Sequence, residues 1–262
     1  MKKGFISIFL ILILSVLFVI PGKAITFGEL DGTRHPNVGA LVAEFPNYGK
    51  DVVCSGTLIA PDVFLTAAHC VNWMPGYGIA PNDVWVTFDP VFTQSGKFYR
   101  GTYHTNPLYG HDESDPNDVA VITLDEPVEG IVPASLPGAG LLDELKAAGA
   151  LKSQKFVAVG YGTVRMDKTG GPKPLYWEGA RRFVEQSYNA LTQSWLKLSM
   201  NPATGDGGTC YGDSGGPHFL GESSMVVSLT VTGDVNCRAT DVTYRLDTPS
   251  ARSYLAEFIE LP

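Results

Sequence analysis

The sequence predicts an all-β fold, a sandwich or a barrel, on three observations. Short apolar runs rich in Val, Ile, Thr, Phe and Tyr recur along the chain, each bounded by turn residues. The 262 residues include 29 Gly and 18 Pro, a content that favours many turns over long helices. Helical patterning does not alternate with the strand-like runs, which argues against a parallel sheet with crossover helices. At 44% apolar, a chain of this length buries a sizeable core, as one large domain or two closely packed halves.

The first element is a leader. "MKKGFISIFLILILSVLFVIPGKA" has two lysines, an apolar run from Phe5 to Ile20 and a Pro-Gly break before Ala24. This is the three-part plan of a secretory signal, with Gly22 and Ala24 small at the minus-three and minus-one positions. The run falls short of the roughly 20 residues that a membrane-spanning helix needs. Residues 1–24 are therefore expected to be removed on export, leaving a secreted or periplasmic chain that starts at Ile25 and has no further membrane contact. Three of the 19 basic residues (Lys2, Lys3 and Lys23) lie in the leader, leaving 16 against 27 acidic. A net charge of −11 argues against nucleic acid and anionic membranes as partners.

The strand-like runs follow in order: "GALVAEF" (39–45), "GTLIAPDVFLTAAH" (56–69), "DVWVTFD" (83–89), "DVAVITL" (118–124), "KFVAVGYG" (155–162) and "SMVVSLTVTG" (224–233). "EPVEGIVPASLPGAG" (126–140) has no periodicity and reads as a connection between two halves of similar size. "LLDELKAAGA" (141–150) reads as a short helix. "DTPSARSYLAEFIE" (247–260) reads as a terminal helix: Thr248 caps it, Pro249 suits its first turn, and Tyr254, Leu255, Phe258 and Ile259 share one face. Cys54, Cys70, Cys210 and Cys237 form an even set in an exported chain, which predicts two disulfides with three pairings open. No C-x-x-C pair supports zinc.

"TCYGDSGGP" (209–217) carries the chemistry. A serine hydroxyl is a poor nucleophile until an oriented base takes its proton, and the oxyanion that forms needs backbone N–H donors. Glycines around Ser214 let the chain turn so that the N–H groups of Gly212 and Ser214 face a substrate. G-D-S-G-G also satisfies the nucleophile-elbow pattern of α/β hydrolases. That fold needs a helix next and a histidine far downstream, whereas here Pro217 follows closely and the one later histidine is His218. Of the five histidines, His69 in "LTAAHC" ends an apolar run beside Cys70 and is the candidate base. Asp118 in "PNDVAVITL" opens an apolar strand, where a carboxylate is costly without a partner, and is the candidate orienting acid.

Together "TAAHC" (66–70), "NDVAVITL" (117–124) and "GDSGGP" (212–217), separated by 49 and 96 residues, resemble the three catalytic motifs of the trypsin/chymotrypsin-like serine peptidases. Supporting matches run from about residue 25 to 246. The resemblance implies two perpendicular antiparallel β-barrels with a C-terminal α-helix, the halves spanning about 25–135 and 140–262. It implies a triad of His69, Asp118 and Ser214, an oxyanion hole at Gly212 and Ser214, and the bridges Cys54–Cys70 and Cys210–Cys237. It further implies that Asp213 pairs with the ammonium of a cut N-terminus, here Ile25, although "ITFGE" departs from the usual Ile-Val-Gly-Gly.

For specificity the resemblance puts Gly208 at the pocket floor in place of an acid. Ser228 falls on the substrate-pairing strand, near the buried acid. Two registers remain open for "TDVTYRLD" (240–247): one puts Val242 on the wall with Thr230, narrowing the pocket for small apolar side chains, and the other puts Asp241 there, favouring basic ones. The expected activity is endopeptidase cleavage of polypeptides by a monomer, without metal or organic cofactor. The alternative is an inactive scaffold of the same fold that binds partners; such proteins usually lack a triad residue, and here none is missing.

Overall fold

Side-chain alternation with a period of two sorts the apolar residues of each strand between two different cores. In the computed structural model, which describes residues 25–45, 48–165 and 174–262, this is clearest at Ala120–Leu124. Ala120, Ile122 and Leu124 enter one cluster with Leu41, Phe64 and Val86, while Val119 and Val121 enter another with Val157, Phe219 and Leu229. The strand is apolar on both faces because both faces are covered. One faces a barrel interior and the other faces the second half of the molecule.

The first half contains β1 (Glu29–Leu30), β2 (Val38–Phe45), β3 (Gly49–Ala60), β4 (Val63–Thr66), β5 (Val84–Thr87), β6 (Tyr99–Thr105) and β7 (Ala120–Leu124). Strands β2 to β7 close into an antiparallel barrel in the order β2-β3-β4-β7-β6-β5. The second half contains β8 (Lys155–Gly160), β9 (Val164–Arg165), β10 (Leu175–Tyr176), β11 (Arg182–Leu191), β12 (Trp195–Ser199), β13 (Pro217–Leu220), β14 (Val226–Gly233) and β15 (Thr240–Arg245). Six of these run β11-β12-β15-β14-β13-β8, and β8 pairs back onto β11 to close a second antiparallel barrel. Strand β1, from the start of the described chain, adds to β11.

Each predicted run holds a strand, with two adjustments. The run at 56–69 divides between β3 and β4 at Pro61–Asp62. The run at 118–124 starts two residues late, because Asn117 takes a left-handed φ of 53° and turns Asp118 away from the ladder. Residues 126–140 are the connection expected, with Ala134 and Leu136 buried between the halves. Strands β6, β11, β12, β13 and β15 were not among the predicted runs; β11, for example, pairs the polar, fully buried Gln186 with exposed Glu185 and breaks the apolar signal. The terminal helix is Pro249–Leu255, where Thr248 Oγ1 accepts the Ala251 N–H at 3.3 Å. Its Ala251, Tyr254 and Leu255 dock on the cluster between the barrels.

Arg181 locks the halves together. Its fully buried guanidinium donates to Asp31 Oδ2 at 2.8 Å, to the carbonyls of Gly32 and Val38 at 2.8 Å, and to Phe88 O at 3.0 Å. It also donates to the Tyr161 hydroxyl at 3.2 Å, just beyond β8. Burial alone would raise the Asp31 carboxyl, but the His35 hydrogen bond and the Arg181 charge outweigh it and hold Asp31 below the usual carboxylate range. Arg181→Met leaves Asp31 buried without its guanidinium, and urea denaturation should register a loss of about 3–5 kcal/mol. An unchanged midpoint and slope would refute this role.

Candidate active site

The first barrel delivers two of the candidate residues. Thr66 ends β4, and Ala67 and Ala68 lead directly into the short helix His69–Asn72. A Cys54–Cys70 disulfide ties that helix back to β3. Asp118, 2% exposed, accepts twice from one residue: its Oδ1 takes the His69 N–H at 2.8 Å, and its Oδ2 faces His69 Nδ1 at 2.8 Å. An ionised carboxylate only accepts, so Nδ1 carries the ring proton and Nε2 keeps a lone pair. His69 is half-buried.

The second barrel delivers the serine loop, residues 209–216, braced by the Cys210–Cys237 disulfide. Gly215 has φ +75°, and a Cβ there would overlap Thr66 Oγ1 and lie 2.7 Å from both Ala67 N and Ser55 O. Glycine is therefore required for the loop to press against the strand end that leads to His69. Ser55, from β3, completes the contact. Its N–H donates to the Ser214 carbonyl at 2.9 Å, its hydroxyl donates to the Gly212 carbonyl at 3.0 Å, and the Tyr161 N–H donates to that hydroxyl at 2.9 Å. Among the described residues the Ser214 hydroxyl makes no hydrogen bond, as is common before substrate closes such a site.

Two backbone donors face outward for a geometric reason. The Tyr211 carbonyl accepts the Thr163 N–H at 2.7 Å, and the Asp213 carbonyl accepts the Gly216 N–H at 2.8 Å. Across a trans peptide the N–H lies opposite the carbonyl, so the N–H groups of Gly212 and Ser214 turn away from the loop. No acceptor within the described residues takes either. A half-buried hydroxyl flanked by two unused N–H groups can stabilise a developing oxyanion.

Asp213 sits directly beneath. It is fully buried, and Oδ1 and Oδ2 accept the N–H groups of Gly162 and Cys210, each at 2.8 Å. Burial raises its carboxyl to about 7 against the pull of those two hydrogen bonds, with the nearby Asp241 charge adding to the rise. Ile25 is also fully buried and packs with Ala158 and Val184. The next residue, Thr26, bridges Gly208, with Gly208 N donating to Thr26 O at 3.0 Å and Thr26 Oγ1 donating to Gly208 O at 2.7 Å.

A cleft of about 220 Å³ opens beside Ser214, lined by Thr209, Cys210, Thr230, Thr232 and Gly233 among others. Gly208 lies behind it against Met200, whose side chain occupies the space a Cβ would need. The pairing of Thr230 with Thr243 fixes the register of β15. Tyr244 turns away from the cleft, its ring in the cluster between the barrels and its hydroxyl donating to Asp115 at 2.8 Å. Asp241 points inward and accepts from Thr209 Oγ1 at 2.7 Å, so Val242, next along the strand, faces outward. The Ser228 hydroxyl accepts from Thr243 Oγ1 at 2.8 Å. Ser55 and His218 were missed as site residues. His218 is fully buried with Nε2 3.1 Å from Asp241 Oδ2, although in the sequence it stands in a polar context. Cys54, His69 and Cys70 cluster closely, but both sulfurs are in the disulfide and offer no thiolate to a metal.

A carboxyl raised by burial favours the fold when protonated, so its stabilisation is present at low pH and lost as pH rises through about 7. With Ile25 still amide-linked, urea denaturation should record a loss on the order of 4 kcal/mol between about pH 4 and pH 8, beyond that of Asp213→Asn. Parallel pH profiles for the two proteins would contradict it.

Comparison with known proteins identifies the family and the fold. The family profile described as Trypsin matches residues 34–255. A solved collagenase structure ("HL collagenase", 1.7 Å) shares the fold at a TM-score of 0.66 and 18% identity, covering 90% of this chain and 100% of its own. With the profile spanning most of the two barrels, the chain belongs to the trypsin family.

Proposed function

We propose that this chain is an exported serine endopeptidase that cleaves polypeptides through a triad of Ser214, His69 and Asp118. The observation that carries the proposal is the doubly bonded His69–Asp118 pair at the strand end on which the Ser214 loop packs. In this reading His69 Nε2 takes the Ser214 proton as the hydroxyl attacks a peptide carbonyl. The N–H groups of Gly212 and Ser214 hold the oxyanion, and Asp118 fixes the tautomer and stabilises the imidazolium. The protonated His69 then delivers its proton to the leaving amine, and water releases the acyl group by the same steps in reverse.

Export fits the leader at residues 1–24 and the two disulfides, which need an oxidising compartment. Among the described residues no helix is long and apolar enough to cross a membrane. Leader removal would free the Ile25 ammonium beside a segment already seated next to the serine loop through Thr26 and Gly208. That cation would stabilise ionised Asp213 and complete the oxyanion hole. N-terminal sequencing of active secreted protein is expected to begin at Ile25, and any other start overturns this pairing.

Activity is tested on purified secreted protein with peptide substrates. Ser214→Ala should lower kcat by at least about 10³-fold, and Asp118→Asn by about 10⁴-fold with KM little changed. A fluorophosphonate should label the wild type and not Ser214→Ala. An unlabelled wild type would favour the inactive binding scaffold instead.

A further inference from the structure

A polar network lies behind the cleft wall, and the chemistry above does not use it. Thr209 lines the cleft, and its hydroxyl donates to Asp241 Oδ2 at 2.7 Å. The same oxygen accepts Gln186 Nε2 at 2.9 Å and faces His218 Nε2 at 3.1 Å. Gln186, His218 and Asp241 are all fully buried. Three donors thus converge on one oxygen, while among the described residues Asp241 Oδ1 and His218 Nδ1 have no partner, nor does Thr230 Oγ1 on the cleft wall. A buried carboxylate with a bare oxygen is held in its charged form by a nearby cation.

Of the described side chains in contact with Asp241, His218 is the one able to supply that cation. His218 is on β13, and its pairing neighbours are Ala158 on β8 and Ser228 on β14, neither titratable. On β11 the inward residue is Gln186, with Glu185 exposed on the outer face. On β12 the inward residues are Leu196 and Leu198, with Lys197 between them facing out. On β15 the Arg245 guanidinium is engaged by Asp143, Asp247 and the Thr192 carbonyl. From the serine loop, Asp213 lies within electrostatic range of Asp241, and in the proposed mature form the Ile25 ammonium balances its charge.

We propose that His218 and Asp241 form a proton-dependent counter-ion pair that sets the charge behind the specificity cleft. With the imidazole protonated, the pair is neutral and the cleft selects a small uncharged side chain at the scissile residue. When the proton leaves, the Asp241 charge is uncompensated, and its field reaches a Lys side chain in the cleft through the Thr209 hydroxyl and a low-dielectric wall. Neither His218 nor Asp241 touches substrate: both are positioning residues that act through Thr209. This rests on the peptidase reading and adds a pH-switched substrate class to it.

The test is competition between two peptides that differ only in Lys or Ala at the scissile residue. Both use one triad, so the ratio of their kcat/KM values cancels the titration of His69. In the wild type the Lys/Ala ratio should rise on the order of tenfold from about pH 5 to about pH 9. His218→Gln should hold the ratio high and flat, and Asp241→Asn should hold it low and flat. A flat wild-type ratio, or a rise that survives in His218→Gln, overturns the proposal. A second measurement needs no catalysis: binding of n-butylammonium and of n-butanol to Ser214→Ala, followed by NMR. The amine should tighten with pH by a similar factor while the alcohol does not, and pH-independent amine binding overturns the proposal. Failure to cleave either peptide would count against the peptidase reading, and the amine titration would still decide this one.

Discussion

The active-site geometry depends on Ser55, a residue of the first barrel that holds the nucleophile loop of the second. Its N–H takes the Ser214 carbonyl and its hydroxyl takes the Gly212 carbonyl, while its own carbonyl accepts from Thr66 Oγ1 at 2.8 Å. One residue, through its backbone N–H and its hydroxyl, therefore fixes the loop on both sides of Asp213 against the strand end that leads to His69. Away from this contact and the Arg181 lock, the barrels meet through non-directional apolar packing of Val121, Val157, Leu229 and their neighbours. Such packing would tolerate a small slide. Hydrogen bonds at 2.8 to 3.0 Å would not, and catalysis needs placement to within a fraction of an ångström.

The same loop carries an electrostatic liability in the buried Asp213. Asp213 is enclosed so tightly that a Cβ on Gly160 or Gly162 would overlap its carboxylate. Two backbone donors satisfy part of its hydrogen-bonding capacity but supply no full charge. The loop that aims the oxyanion donors is thus built over a group that resists ionising. Anything cationic that reaches Asp213 stabilises the ionised carboxylate and with it the working shape of the loop. Position and charge are coupled at one residue, which is how a local event could govern a whole active site.

Much of this was legible in the sequence because the chemistry restricts residue types. A nucleophile between glycines, a histidine beside a cysteine and an acid opening an apolar strand each narrow the choices, and the chain brings these segments together. Strands whose faces are both apolar, such as β2 and β7, were also legible. Strands β11 and β15 were not, because Gln186, Asp241 and Thr243 face the interior of the second barrel and mimic surface residues. Ser55 was invisible for a different reason. Its hydroxyl partner lies 157 residues away, so nothing in its local sequence announces the contact. The β15 register was undecidable until the pairing of Thr230 with Thr243 aligned it, since both readings left a plausible residue at the wall.

The two barrels differ in what their interiors can do. The first is filled by Leu41, Leu58, Phe64, Val84, Val86 and Ile122, and by the ring of Tyr103. Close packing of this kind resists deformation and suits a platform for His69 and Asp118, which must keep one mutual geometry. The second barrel packs fewer apolar side chains, among them Phe156, Leu196, Leu198 and Val227, and gives its remaining interior to Gln186, His218, Asp241 and Thr243. Polar interiors contribute less by burial, but their donors and charges can be rearranged without changing volume. On the proposed function this division matches two tasks: a rigid apolar barrel would orient the base, and a polar barrel would tune what the cleft beside Ser214 prefers. Change in the first interior would then be felt as stability, and change in the second as selectivity.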